Sequence, residues 1–188
     1  MQKSPYEELQ GESSEAAELL SKKVIRHWLT DDAFCNYKIE IYEEIDSTNN
    51  RAKALAEEGA DEPTVILANR QTAGRGRLSR QFLSPPSQGL YMSLLCYPSL
   101  PGEKAVFLTT YTAVAVCRAI ETVSGISPQI KWVNDIFVQG KKLCGILVET
   151  SLKADGTLPY AVIGIGINVA AQKFPPPLDR IVGSIGDF

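Results

Sequence analysis

The sequence predicts an α+β domain: a mixed, largely antiparallel β-sheet with helices packed on one face. Two observations predict it. Helical periodicity is confined to the first two thirds of the chain, and from Gln129 onward the pattern is all strand, punctuated by glycine turns. Helices first and antiparallel strands after is the element order of that class.

Residues 1–13 are polar and are expected to be disordered. From Ser14, the apolar positions Ala17, Leu20, Val24 and Trp28 step by three and four, which predicts one amphipathic helix. His27 lies on it beside Trp28, and a surface or packing role is expected. "YKIEIYEEI" (37–45) alternates as a strand. "DSTNN" then opens a helix that Ser47 or Asp46 caps and Gly59 ends. "TVILAN" (64–69) is a β-branched strand that runs into an arginine–glycine loop, and "GLYMSLLCY" (89–97) is its return. Between Lys104 and Val123 lies the longest helix. "AVAVC" (113–117) makes it apolar nearly all round, so it is expected to be buried. Thereafter "IKWVND", "IFVQ", "LCGILVETSL" and "YAVIGIGINV" follow, with hairpin signals at Gly140 and at Asp155-Gly156. The last of these strands is apolar on both sides and expects cover on both faces, while the tail "LDRIVGSIGDF" promises one weak turn of helix.

With 188 residues, 44% hydrophobic and 22% charged, the chain has the composition of one soluble globular domain. A net charge of −3 argues against a surface built to neutralise the phosphates of a nucleic acid. No apolar run approaches the ~18 residues that cross a bilayer, and the N-terminus lacks the apolar core of a signal peptide. Cys35, Cys96, Cys117 and Cys144 are scattered, with no C-x-x-C pair and no histidine cluster, so reduced thiols in a cytoplasmic protein are expected.

Against this mildly acidic background, "RQTAGRGRLSR" (70–80) concentrates four arginines and two glycines. It is not a P-loop, because it lacks G-K-[ST] and no helix follows. Its glycines let backbone N–H groups approach a ligand, and Arg75, Arg77 and Arg80 are planar forks suited to carboxylate and phosphate oxygens. "KWVNDI" (131–136) puts Lys131, Asn134 and Asp135 at the end of an apolar strand. "KKLCGILVE" (141–149) puts Lys142 at the mouth of a buried strand and Gly145 inside it. "GIGIN" (164–168) lacks the third glycine and the following helix of a dinucleotide fingerprint, so Gly-x-Gly in a strand beside a ligand is the better reading.

Five stretches in order, "EIDSTN", "QTAGRGR", "KWVND", "KLCGILVE" and "GIGINV", resemble the catalytic domain of the bacterial biotin–protein ligases over residues 44–169. The resemblance implies a fold of the class II aminoacyl-tRNA-synthetase and biotin–lipoate ligase type. It also implies a two-step reaction. The biotin carboxylate attacks the α-phosphate of ATP to give biotinyl-5′-AMP and pyrophosphate. A lysine amine of a biotin carboxyl carrier protein, of acetyl-CoA carboxylase or another biotin-dependent carboxylase, then takes the biotinyl group and releases AMP.

The family pattern assigns Ser47, Thr48, Asn49 and Gln71 to polar contacts with biotin, with Gly74, Arg75, Lys142, Gly145 and Gly164 lining the same pocket. Arg77, Arg80, Phe82, Asn134, Asp135, Lys142 and Asn168 fall on the nucleotide side. Lys142 and Arg75 are the implied catalytic pair: Lys142 where carboxylate and α-phosphate meet, Arg75 as the anchor of the loop over biotin. Asp135 is the implied contact for Mg2+. The chain has Phe82 where family members commonly carry an adenine-stacking tryptophan, and Val133 where proline is usual. The resemblance divides the chain into residues 1–35, a tail and helix with no DNA-binding domain, and residues 36–188, a catalytic domain shortened at its C-terminus and lacking the family's small β-barrel. It leaves a homodimer open and predicts no nucleic-acid or membrane partner. The rival readings are a lipoyl ligase or transferase of the same fold, and a truncated module that binds biotin without turnover.

Overall fold

A computed structural model describes residues 21–29, 37–60 and 63–188. Cys35, the expected disordered tail and the first turns of the helix expected from Ser14 lie outside these residues. What is described of that helix is α1, Lys22–Trp28, which begins where the Ser21 hydroxyl accepts a hydrogen bond from Val24 N at 3.2 Å.

The remaining elements are β1 Lys38–Ile45, α2 Thr48–Glu57, β2 Thr64–Gln71, β3 Gly89–Cys96, α3 Ala105–Ser124, β4 Gln129–Lys131, β5 Asp135–Val138, β6 Lys141–Thr150 and β7 Ala161–Asn168. Among the described residues the strands form one seven-stranded sheet in the order β1-β2-β3-β7-β6-β5-β4. Only β1 and β2 run parallel, joined by the α2 crossover; the other pairs are antiparallel. The expected mixed, largely antiparallel sheet is therefore what these residues build. Gln139 and Gly140, at φ 47° and 81°, make the β5–β6 turn, a left-handed pair that a two-residue hairpin needs.

The side-chain period of two divides the helices between the sheet's faces, rather than gathering them on one. On β7, Val162 packs with Ala52 and Leu55 of α2 and with Ile66 and Leu95. The opposite face, through Ile165 and Ile167, packs with Ala113, Val116 and Ile120 of α3 and with Ile136, Cys144 and Ile146. The physical reason is that β7 lies inside the sheet and is apolar on both sides, so each face needs its own cover. The tail contributes: Ile185 packs against the α3 cluster, and Gly186 N donates to Val169 O at 2.9 Å. Val162, Ile163 and Ile167 are buried. The tail thus does more than its one expected turn: two short 3₁₀ turns, Leu178–Arg180 and Ile185–Asp187, flank a segment that pairs with β6.

A second expectation fails on α3. Its inner stripe is buried, but Val106, Phe107, Tyr111, Val114 and Val123 are exposed. Composition reports how apolar a helix is, not whether anything sits on its outer side. By length and composition alone this segment would pass as membrane-spanning, contrary to the run-length reading above, although Ala113, Val116 and Ile120 pack as a core stripe against the sheet. Cys117 and Cys144 are free thiols. Burial pushes the Cys144 thiol well up, as expected of an inert buried cysteine.

Candidate active site

The face of the sheet that carries α2 also carries a cavity of about 790 Å³. Strand period explains why its residues come from the quoted motifs. In β7 the alternate residues Gly164, Gly166 and Asn168 face the same way; in β6 so do Gly145, Leu147 and Glu149, with Gly145 paired to Gly166 and Leu147 to Gly164. Gly164 and Gly166 leave a floor without side chains, and other elements fill part of it. A Cβ on Gly164 would collide with the Asn49 amide, and one on Gly166 would lie 2.6 Å from the Phe82 ring. Gly145 has the same ring and Lys142 Nζ 3.4 Å from where its Cβ would stand. Phe82 in turn meets Tyr91 edge-on, with ring centroids 6.3 Å apart. Tyr91 donates to Pro85 O at 3.0 Å, and burial pushes its phenol up to about 12.

One end of the cavity is a neutral, buried network. Ser47, Thr48 and Asn49, at the N-terminus of α2, are all buried. Gln71 Oε1 accepts from Thr48 N at 2.9 Å and from Thr48 Oγ1 at 3.1 Å, and Gln71 Nε2 donates to Ser84 Oγ at 2.9 Å. Ser93 Oγ lies 2.7 Å from Thr48 Oγ1 and 2.6 Å from Asn49 Oδ1. Of the two candidate caps of α2, Ser47 and Asp46, Ser47 occupies the cap position, without a side-chain bond there. Of the site residues that the family pattern assigns, Gly74 alone does not line this cavity. A Cβ there would strike the Phe82 carbonyl and Ser84, so its role is to let the loop fold back on itself.

The other end is charged. Lys142 Nζ stands 2.7 Å from Asp135 Oδ1, which also accepts from Asn134 Nδ2 at 3.0 Å. Arg77 donates to Asn134 Oδ1 at 2.9 Å. Arg80 is exposed beside them, and Lys131 Nζ lies 4.9 Å over the Phe137 ring. Leu78 and Ser79, at φ 55° and 59°, hold left-handed backbone at the tip of the loop, and Leu78 is 83% exposed. The Trp132–Val133 peptide is cis. Asn168 is buried; its Nδ2 donates to Gly183 O at 3.2 Å and its Oδ1 has no partner.

Arg75 belongs to neither end. Its guanidinium reaches Glu149 at 2.9 Å and Asn50 Oδ1 at 2.8 Å, which ties the loop to α2 and β6. Glu149 also takes Lys53 at 3.1 Å and Asn49 Nδ2 at 2.8 Å. Burial alone would raise the Glu149 carboxyl, but hydrogen bonds from Asn49 and Lys53 and the charges of Lys53 and Arg75 hold it below the ordinary carboxylate range. Sequence reasoning missed Ser84, Ser93, Asn50 and Glu149 as members of the site. Glu149 closes the "KLCGILVE" motif in phase with Gly145, which is the one signal that could have found it. His27 is exposed on α1 and does not line the cavity.

The family model of the biotin/lipoate A/B protein ligases matches residues 41–168. The bifunctional ligase/repressor BirA of Bacillus spizizenii is 42% identical over 169 residues, covering 88% of this chain and 51% of the relative. The biotin–[acetyl-CoA-carboxylase] ligase of Mycobacterium tuberculosis is 30% identical over 156 residues, covering 80% and 56%. The chain thus spans about half the length of these curated relatives. Among solved structures, the Aquifex aeolicus biotin protein ligase in complex with biotin and ATP superposes with a TM-score of 0.62 at 32% identity, covering 80% of this chain and 60% of that one. The Leishmania major ligase in complex with biotinyl-5-AMP gives 0.66 at 29% identity, covering 80% and 64%. Motif order, sheet topology and these matches agree, and the chain belongs to the biotin/lipoate A/B protein ligase family.

Proposed function

We propose that this chain is an ATP-dependent biotin–protein ligase. The observation that carries the reading is one continuous cavity with a neutral, buried hydrogen-bonding end at Thr48 and Gln71 and a cationic end at Lys142, Arg77 and Arg80. The neutral end suits an uncharged, hydrogen-bonding head such as the biotin ureido ring. The cationic end suits a carboxylate meeting a triphosphate.

In the first step the biotin carboxylate oxygen bonds to the α-phosphorus of ATP and the bond to the β-phosphate oxygen breaks, so pyrophosphate leaves. Lys142 supplies a fixed positive charge where two anions meet, and Asp135 holds that ammonium in place at rest. Arg77 and Arg80 offer forks to the phosphates, and Phe82 offers a ring face to the base. In the second step a lysine amine of a carrier protein attacks the acyl carbon of the mixed anhydride, loses a proton, and AMP leaves. No side-chain nucleophile is needed; positioning and charge do the work. The acceptor we assign is the biotin carboxyl carrier domain of a biotin-dependent carboxylase, and the compartment is the cytoplasm, where free thiols such as Cys144 and ATP both belong.

Magnesium would accompany the ATP. Among the described residues no three acids, cysteines or histidines cluster to hold a metal, and Asp135 Oδ1 already faces Lys142 and Asn134. The donor set fits an ion held by one carboxylate oxygen, Asp135 Oδ2, together with phosphate and water. Such an ion would neutralise phosphate charge; the protein's own contribution is the lysine and arginines. Incubation with biotin, ATP, magnesium and an apo carrier domain, read by mass spectrometry, tests the proposal. Biotinyl-AMP and a biotinylated carrier are expected. Unreacted biotin at high protein concentration would overturn it, and faster pyrophosphate release with lipoate than with biotin would favour the lipoyl reading.

A further inference from the structure

We infer that residues 178–187, outside every motif named above, form a strap that positions Lys142 and Asn168 and so sets how tightly the nucleotide is held. The inference rests on the biotin–ATP reading of the cavity and adds residues that the motifs do not contain.

Lys142 sits beside a register shift. Ile136 pairs with Cys144, but the next residue, Phe137, pairs with Lys142, so Leu143 of β6 is passed over there. The strap supplies backbone bonds at that point. Lys142 N donates to Ile181 O at 2.9 Å, and Gly183 N donates to Lys142 O at 3.0 Å, with Val182 bridging parallel to Lys142. The same turn fixes Asn168. Its Nδ2 is taken by the Gly183 carbonyl, which can only accept, so the buried Oδ1 is left as an acceptor. An unpaired buried acceptor is unfavourable until a donor arrives. A nucleoside, with its hydroxyls and amine, carries such donors. Leu178, Ile181 and Val182 line the cavity, so the strap is also its wall.

The strap is itself pinned on its far side. Ser184 N donates to Asp187 Oδ2 at 2.7 Å, and Lys141 Nζ donates to Asp179 O at 2.8 Å. Asp187 does not line the cavity, so changing it loosens the strap without touching the ligand. Asp187→Ala removes the acceptor for Ser184 N, whereas Asp187→Asn keeps a side-chain oxygen able to accept.

The test compares these two variants with the unaltered chain in three measurements: amide hydrogen exchange at Lys142, affinity for biotin, and affinity for α,β-methylene-ATP at saturating biotin. That analogue cannot lose pyrophosphate, so binding is read whether or not the chain turns over. Asp187→Ala should speed Lys142 exchange and weaken the analogue by roughly fivefold each, the effect of losing one capping bond, with biotin affinity unchanged. Asp187→Asn should behave as the unaltered chain. Equal losses for biotin and nucleotide would mark a general loss of structure and overturn the strap, as would an unchanged Lys142 amide in Asp187→Ala. If the unaltered chain makes no biotinyl-AMP, the adenylation reading fails, while amide exchange and analogue binding still decide the strap.

Discussion

The two ends of the cavity are built on different principles. At the Thr48–Gln71 end the hydrogen bonds run between residues that are buried or half-buried, and Thr48, Gln71, Ser84, Ser93 and Asn49 satisfy one another before a ligand arrives. At the Lys142 end the partners are charges and amides at the cavity wall, and Arg80 and the tip of its loop are exposed. The first end is preorganised by neutral bonds that are costly to break. The second holds charge that is only partly neutralised, and a triphosphate would complete it. The largest expected effect separates them. Lys142→Ala should slow biotinyl-AMP formation by about 10²-fold, the roughly 3 kcal/mol that one preorganised cation supplies, while biotin affinity stays within about twofold. Pre-steady-state pyrophosphate release and biotin titration measure the two; a matched loss of both would erase the distinction.

The neutral end should respond in the opposite way. Gln71→Leu leaves buried Thr48 N without its acceptor and takes from Ser84 Oγ its donor, although Ser84 keeps its bond to the Phe82 carbonyl, so it should lower stability by about 1–3 kcal/mol and weaken biotin. The ATP dependence of whatever biotin-saturated activity remains should be unaltered. Thermal melting and biotin titration read this. An unchanged melting temperature would mean that water replaces the glutamine and that the network is less closed than its distances suggest.

A smaller effect concerns the loop between the two ends. Arg75 is tied to Glu149 and Arg77 to Asn134, but Leu78, Ser79 and Arg80 stand exposed in left-handed or extended backbone. Trypsin should therefore cut after Arg80 before it cuts after Arg75, and biotin with ATP should slow the cut by roughly tenfold as the cations find phosphate. Equal rates with and without ligand would show that the loop is as fixed as the neutral network behind it.

What could be read from the sequence follows from period and order. "GIGIN" and "KLCGILVE" are strands, so a spacing of two places Gly164, Gly166 and Asn168 beside Gly145 on one face, and the motif residues converge without any knowledge of tertiary contacts. The mixed sheet was legible for the same reason. What stayed hidden depends on partners far apart in the chain. Asn49 meets Glu149 across 100 positions and Ser93 meets Thr48 across 45, with nothing local to announce either. The placement of helices on both faces was hidden too, because hydropathy gives α3 an apolar character but not a side. The tail read as weak because its 3₁₀ turns are short; its bonds to Lys142 and Asn168 are what hold it.

The smallest effect tests whether the tie between the two ends is electrostatic. Glu149 holds Asn49 of the neutral network and Arg75 of the charged loop, and its carboxyl titrates below the ordinary range because those hydrogen bonds and charges outweigh burial. A depressed folded-state value means that the contribution to stability is fully present above the unfolded value, about 4.3, and is lost as pH falls through the folded one. Glu149→Gln puts an amide of the same shape in place of the carboxylate and removes the charge facing Lys53 and Arg75. The melting temperature of the unaltered chain should exceed that of the variant by a constant margin from about pH 7 down to about pH 5.5, and the margin should close toward about pH 3. Other carboxylates with lowered values, such as Glu40, titrate in both proteins and cancel in the difference. A margin that does not change with pH would mean that Glu149 acts by shape alone, and that the loop is tied to α2 by the Asn50–Arg75 hydrogen bond instead.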